Sequence, residues 1–241
     1  MADILLSLSG VHTLLGPYHN LQGVDLAVPE GGVTVLLGRN GAGKTTTLRT
    51  IMGLWTASQG DIRLADHLIT QLDTPEISRR GVAYVPEDMG IFTDLTVAEN
   101  TLLAASSGPI DQQRLAWIKD LFPPIGTFWE ASAGTLSGGQ KQMLSVARAI
   151  IEPRRLILID EPTKGLAPAI INAMTEALRE LKQTDTTILL VEQNFAMASA
   201  IGDTVAVMDD GRIIHSGQMS ELVEDEGLQE RLMGLSLEAH Q

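Results

Sequence analysis

The chain has no cysteine among its 241 residues. That absence excludes disulfide frameworks, thiol nucleophiles and cysteine-based zinc sites, and it is compatible with a reducing cytosol. Positive charge is also scarce: 17 Lys and Arg stand against 30 Asp and Glu, a formal net charge of −13. A nucleic-acid footprint would be basic and clustered, and electrostatic docking on an anionic lipid surface needs the same sign. Neither partner is expected. No apolar run approaches the roughly 18 residues that a spanning helix requires. The start, Met1-Ala2-Asp3-Ile4-Leu5, has no basic stretch and no apolar core, so no export signal is expected. The length suggests one domain or two closely joined ones. A chain of this size buries about 70% of its unfolded surface and needs no metal or disulfide staple. The expectation is a soluble, acidic, cytoplasmic globular protein.

Apolar strands alternate with helical segments along the chain. Short strands are expected at 4–8, 24–28 and 60–64, the last an edge strand. Val33-Thr34-Val35-Leu36-Leu37 is a continuous apolar run suited to a strand buried on both faces. A helix should follow over 44–52, then a buried strand at 82–85. The middle reads as helical, with segments at 96–105 and 111–122, the second stopped by Pro123-Pro124. Beyond it come a strand at 156–160, a helix at 168–182, a strand at 187–191 and a helix at 194–201. Strands at 204–208 and 212–215 flank the turn Asp210-Gly211, and a helical tail covers 219–232. This alternation predicts an α/β fold: a mostly parallel sheet covered on both faces, an N-terminal antiparallel β layer, and a helical insertion.

The strongest local signal is Gly38-Arg39-Asn40-Gly41-Ala42-Gly43-Lys44-Thr45, with Thr46 next. It fits the phosphate-loop pattern and sits after a buried strand and before a helix. The glycines let backbone N–H groups converge on phosphate oxygens, and the helix start adds its positive dipole end. Lys44 is expected to reach the β- and γ-phosphates, and the Thr45 hydroxyl to bind Mg²⁺.

A second feature is the apolar strand ending in Asp160-Glu161. At the C-terminal edge of a parallel strand, such acids reach the ligand crevice. Asp160 would hold Mg²⁺ and Glu161 would polarise water; the plainer reading is an acidic helix start. A third is Leu136-Ser137-Gly138-Gly139-Gln140, a second ring of free N–H donors at a helix start. By itself it reads rather as an ordinary capped helix.

In this order the three strings resemble the ATP-binding cassette ATPases, over nearly the whole chain. The resemblance implies a P-loop NTPase core at about 1–88 and 152–241, and a helical signature subdomain at about 89–151, in one cassette spanning 1–241. It implies ATP as nucleotide, and a head-to-tail pair of subunits. In that pair Leu136, Ser137, Gly138, Gly139 and Gln140 contact the ATP held by the partner's phosphate loop. Three departures narrow the branch. Pro86-Glu87-Asp88 replaces the usual Gln, Val191-Glu192-Gln193-Asn194 replaces the usual His, and Ala167 stands where Asp is common. Together they resemble the smaller ATPase subunit of branched-chain amino acid importers and their amide and urea relatives.

That resemblance implies integral membrane permeases as partners, a second, non-identical ATPase (a homodimer being the alternative), and a periplasmic binding protein acting indirectly. It also implies a peripheral position on the cytoplasmic face of the inner membrane. Gln193 would orient the γ-phosphate without supplying charge. Glu87 would bind Mg²⁺ or its waters. Tyr18 would stack on adenine, because Leu15 occupies the usual aromatic position. Met89, Ile91 and Phe92 would give the loop at 87–93 exposed apolar character for permease docking. His12, His67, His215 and His240 are scattered without metal spacing and read as surface or packing residues. A cassette working off the membrane, and an ATP-gated dimerisation module without turnover, are the rival readings.

Overall fold

The computed structural model describes residues 3–105 and 108–233. Met1, Ala2, residues 106–107 and the segment from 234 onward, including His240, lie outside the described residues, as do those parts of the expected 1–241 cassette. In chain order the elements are β1 (Ile4–Leu15), β2 (Tyr18–Pro29), β3 (Val33–Gly38), α1 (Lys44–Ile51), β4 (Gln59–Leu64), β5 (His67–Leu68), α2 (Thr74–Arg79) and β6 (Val82–Val85). A helical stretch follows: α3 (Val97–Leu102), α4 (Gln112–Leu121), α5 (Pro123–Thr127) and α6 (Gly138–Ala149). The chain then returns to β7 (Leu156–Asp160), α7 (Pro168–Lys182), β8 (Thr187–Val191), α8 (Phe195–Ile201), β9 (Thr204–Asp209) and β10 (Arg212–Gln218), and closes with α9 (Met219–Glu224) and α10 (Glu226–Met233).

Two sheets result. One is four-stranded and antiparallel, in the order β2-β1-β4-β5. The other is six-stranded, in the order β10-β9-β3-β8-β7-β6, and parallel except for β10. The period of two along a strand sends alternate side chains to opposite faces. Val33, Val35 and Leu37 of β3, with Ile157 and Ile159 of β7, join the core under the helices. Leu36, Leu156 and Leu158 join a second core shared with the antiparallel sheet and α1. The central strands are therefore buried on both sides, which is why they read as unbroken apolar runs.

Several expectations need correction. The first two strands are each 12 residues long. Register shifts between Leu8 and Val11 and between Thr13 and Leu14 break the alternation that would have revealed their length. β4 is not an edge strand, since β5 pairs outside it. Pro123-Pro124 does not merely stop α4. Phe122 leaves the helical region and the two prolines open α5, a position where the missing N–H costs nothing. Helix α2 was not expected, although its cap is legible: Asp73 accepts from Glu76 N in a capping box with Pro75 in the first turn.

Strand order places the loops that matter. β3, β8, β7 and β6 are consecutive and parallel, so their C-terminal ends share one edge of the sheet. The segments leaving that edge begin at Gly38, Glu192, Glu161 and Pro86.

Candidate active site

The phosphate loop begins with a steric constraint. Gly38 has φ +153°, and a Cβ there would lie 2.3 Å from the Met208 carbonyl oxygen; no other residue fits so close to β9. Gly43 has φ +109° and is the N-cap of α1. Lys44, only 4% exposed, donates from Nζ to Gly38 O at 2.8 Å and Arg39 O at 3.1 Å. Its ammonium is thus folded back over the loop, 3.4 Å from Glu161 Oε1. Ala42 N closes the loop onto Arg39 O, and Gly211 N donates to Ala42 O.

The Thr45 hydroxyl donates to Asp160 Oδ1 at 3.1 Å, and the Tyr84 hydroxyl to Asp160 Oδ2 at 3.2 Å. Asp160 is fully buried. Burial raises its pKa to about 6; the Thr45 and Tyr84 hydrogen bonds oppose the shift, and the negative charges of Glu161 and Glu87 add to it. Burial likewise pushes Tyr84 up, with the Asp160 charge second. Asp160 is therefore a carboxylate short of positive charge. Thr45 and Asp160 offer a hydroxyl and a carboxylate oxygen side by side, the hard-oxygen donor set that suits Mg²⁺. Among the described residues no group of three or more His, Asp or Glu can hold a metal alone. A cation here would take its other ligands from phosphate or water.

Glu161 follows the last residue of β7 with φ +47°, a left-handed conformation that costs a non-glycine residue about 1–3 kcal/mol. Its amide donates to Val191 O at 2.9 Å, which turns the side chain back toward Lys44. Gln193 Nε2 donates to Glu161 Oε1 at 2.5 Å and to Asn40 Oδ1 at 2.7 Å. Glu161 Oε2 is buried and makes no hydrogen bond; Lys164 Nζ stands 3.4 Å from it.

A cavity of about 190 Å³ beside the loop is lined by Asn40, Gly43, Lys44, Thr45 and Thr46, and across from them by Glu87, Glu161 and Lys164. Its walls share Asn20 and Gly41 with a shallow cleft containing Leu15 and Tyr18. Tyr18 itself is 73% exposed. The structure therefore gathers the phosphate loop, Asp160, Glu161, Gln193 and Glu87 at one edge, with Tyr18 adjoining.

It does not gather the 136–140 segment, which is absent from the cavity's lining. There Ser137 caps α6 in a capping box with Gln140. Gly138 has open space around it, whereas a Cβ on Gly139 would lie 2.7 Å from Ile170 Cγ2. Leu136 is buried in the core under the helices.

Sequence reasoning missed three participants. Lys164 donates to Glu87 Oε1 at 2.5 Å and so bridges Glu87 to Glu161. Tyr84 braces Asp160. Glu192, 2% exposed, accepts from Thr163 N and Oγ1 and from the Gln193 and Asn194 amides, tying the loops that follow β7 and β8 together. The signal for Glu192 was a carboxylate directly after a fully buried strand. One further correction concerns side chains outside the cavity. Phe92 is exposed, with Arg148 5.3 Å over its ring, but Met89 and Ile91 are half-buried. His12 also has a neighbour, His19, with His12 Nδ1 and His19 Nε2 2.8 Å apart.

A phosphate loop, a metal-competent Thr–Asp pair and a held carboxylate define a nucleotide hydrolase of the P-loop class. The family model for ABC transporters matches residues 21–164. The branched-chain amino acid transport ATP-binding protein BraG of Pseudomonas aeruginosa is 37% identical over 212 residues, covering 87% of this chain and 91% of that protein. A probable LivF of Archaeoglobus fulgidus, of the same description, is 35% identical over 222 residues, 90% and 93% of the two chains. A solved ATP-binding subunit of an ABC transporter superposes with TM-score 0.80 at 30% identity, over 97% of this chain and 96% of that one. The chain belongs to the ABC transporter family, as an ATP-binding and ATP-hydrolysing subunit. No helix among the described residues is long and apolar enough to cross a membrane.

Proposed function

We propose that the protein energises uptake of a small polar solute, most specifically a branched-chain or other hydrophobic amino acid. The names and identities of the two transport relatives support that solute class; urea and amides are the neighbouring alternatives. In this reading the cassette spans 1–241, its core at about 1–88 and 152–241 and its helical subdomain at about 89–151. It sits on the cytoplasmic face of the membrane against permease subunits, paired with a second ATPase, and a periplasmic protein delivers the solute.

Lys44 and the amides of residues 38–46 hold the β- and γ-phosphates. Thr45 and Asp160 hold Mg²⁺, with Glu87 within reach of its waters. Bound there, the metal would neutralise charge on the phosphate oxygens. Glu161 acts as general base. The observation that carries this is its asymmetry: Oε1 accepts a hydrogen bond from Gln193, with Lys44 close by, while Oε2 faces only the Lys164 ammonium, 3.4 Å away and not in hydrogen-bond geometry, and is the oxygen left to accept a proton from water. Gln193 orients that carboxylate, and it reaches the γ-phosphate by exchanging its bond to Asn40 once nucleotide is bound. Tyr18 stacks on the base, a role supported by its sharing a cleft with Asn20 and Gly41 of the cavity wall. Ser137, Gly138 and Gly139 present their donors to the nucleotide of a partner subunit, which accounts for a second anion cradle outside this cavity.

The test is steady-state phosphate release from MgATP, with pull-down from native membranes. A binding-only module would dimerise and release none, and a cassette working off the membrane would bring down no permease.

A further inference from the structure

The edge of the sheet opposite the nucleotide cavity carries a cluster of arginines. Arg79 ends α2 and Arg80 caps it. Arg154 and Arg155 immediately precede β7, and Arg114 reaches across from α4. All five line one open cleft of about 540 Å³, in whose wall Asp185 is the one carboxylate. Five of the chain's 17 basic residues are thus gathered in a protein of net charge −13.

The cleft is mounted on rigid structure. Arg155 N and Leu156 N both donate to Gly81 O, at 2.9 and 3.2 Å, and Thr187 N donates to Arg155 O at 3.0 Å. The arginines therefore sit on the joined beginnings of β6, β7 and β8. Their charges are incompletely matched. Arg79 and Arg80 make no side-chain hydrogen bond or ion pair with any described residue. Arg154 is 11% exposed and pairs with Glu152 at 2.9 Å, but its Nε is buried with no partner. Arg114 donates from Nε to Ile150 O at 2.6 Å and lies over the Trp117 ring at 5.5 Å. Burial lowers its pKa; Asp111 opposes that shift and Arg154 adds to it. Arg155 reaches Glu30 at 3.2 Å across an exposed gap.

We infer that this cleft binds a small, multiply charged phosphate compound at a site separate from the ATP cavity. Planar guanidinium forks match phosphate oxygens two at a time, and the volume falls in the small-ligand range. A long polyanion is disfavoured, because it would leave the cleft and meet an acidic surface.

The test is calorimetric titration of the full chain with inorganic pyrophosphate, the nucleotide site being saturated with ADP in EDTA. The expected result is one saturable site. Arg79→Gln with Arg80→Gln, both exposed, should weaken it about tenfold or more, the loss set by two charge-assisted contacts. Adding Arg114→Gln should remove it. Three results overturn the inference: no saturable heat in the native chain, affinity unchanged in the exposed double variant, or loss of the heat on Lys44→Ala, which would assign it to the phosphate loop. Binding of an RNA oligomer or of phosphatidate vesicles in place of pyrophosphate would overturn the small-ligand assignment. Urea unfolding of each variant checks that the fold is intact, and the exposed double variant keeps the test decisive should Arg114→Gln fail to fold.

Discussion

Gln193 and Glu161 meet through a 2.5 Å hydrogen bond, and the same amide also donates to Asn40 at 2.7 Å. Both Nε2 hydrogens are committed, so the side chain orients the carboxylate and the phosphate loop together. An amide cannot become cationic, so this residue contributes geometry and leaves positive charge to Lys44 and Lys164. Converting Glu161→Gln should lower turnover by about 10²–10⁴ while ATP remains bound, with an ATP-dependent dimer on size exclusion. Unimpaired hydrolysis would remove Glu161 from the base role.

Gln193→His introduces a group that titrates near neutrality, at about pH 6.5 in its unperturbed form. The variant's rate should then acquire a pH-dependent step between about pH 6 and 7.5 that position 193 does not supply in the native chain. Comparison of the two pH–rate profiles decides it; identical profiles would place residue 193 outside the reacting site.

Asp160 titrates near 6 because of its burial, well above an unperturbed Asp at about 3.9. A raised carboxyl pKa contributes stability that is fully present below the unfolded value and is lost as pH rises through the folded one. The metal-free protein should therefore weaken between about pH 4 and 6 at this residue. Asp160→Asn should abolish that slope and be more stable than the native chain at neutral pH, by on the order of 1–3 kcal/mol. Urea unfolding in EDTA measures this. The same variant should lose Mg²⁺-dependent turnover.

Lys164 is the cation shared by Glu87 and Glu161. Lys164→Met leaves their negative charge facing the cavity, so ATP affinity should fall and the loss should shrink at high salt, where charges are screened. Lys164→Arg should restore most of it. Fluorescent-nucleotide titration at two ionic strengths is the measurement; no change in either variant would make the contact incidental.

Glu192 accepts four hydrogen bonds while almost fully buried. Glu192→Gln turns one acceptor oxygen into a donor facing other donors, at a cost of about 2–4 kcal/mol. The midpoint of urea unfolding should drop accordingly. Turnover should fall with it, since the loop carrying Gln193 loses its anchor.

The sequence by itself determined the parts: the phosphate loop, the Asp160-Glu161 strand end, the capped Ser137 helix start, and the buried strands as continuous apolar runs. These are local statements, written within a few residues by glycine spacing, caps and side-chain periodicity. The bulged N-terminal strands escaped because register shifts erase that periodicity. The tertiary structure alone decided who meets whom. Thr45 and Asp160 lie 115 positions apart, Glu87 and Lys164 77, and Glu161 and Gln193 32. They touch because β3, β8, β7 and β6 lie side by side in an order unrelated to the chain's. That order follows from which apolar faces cover which sheet, a property of the whole core that no short stretch of residues carries.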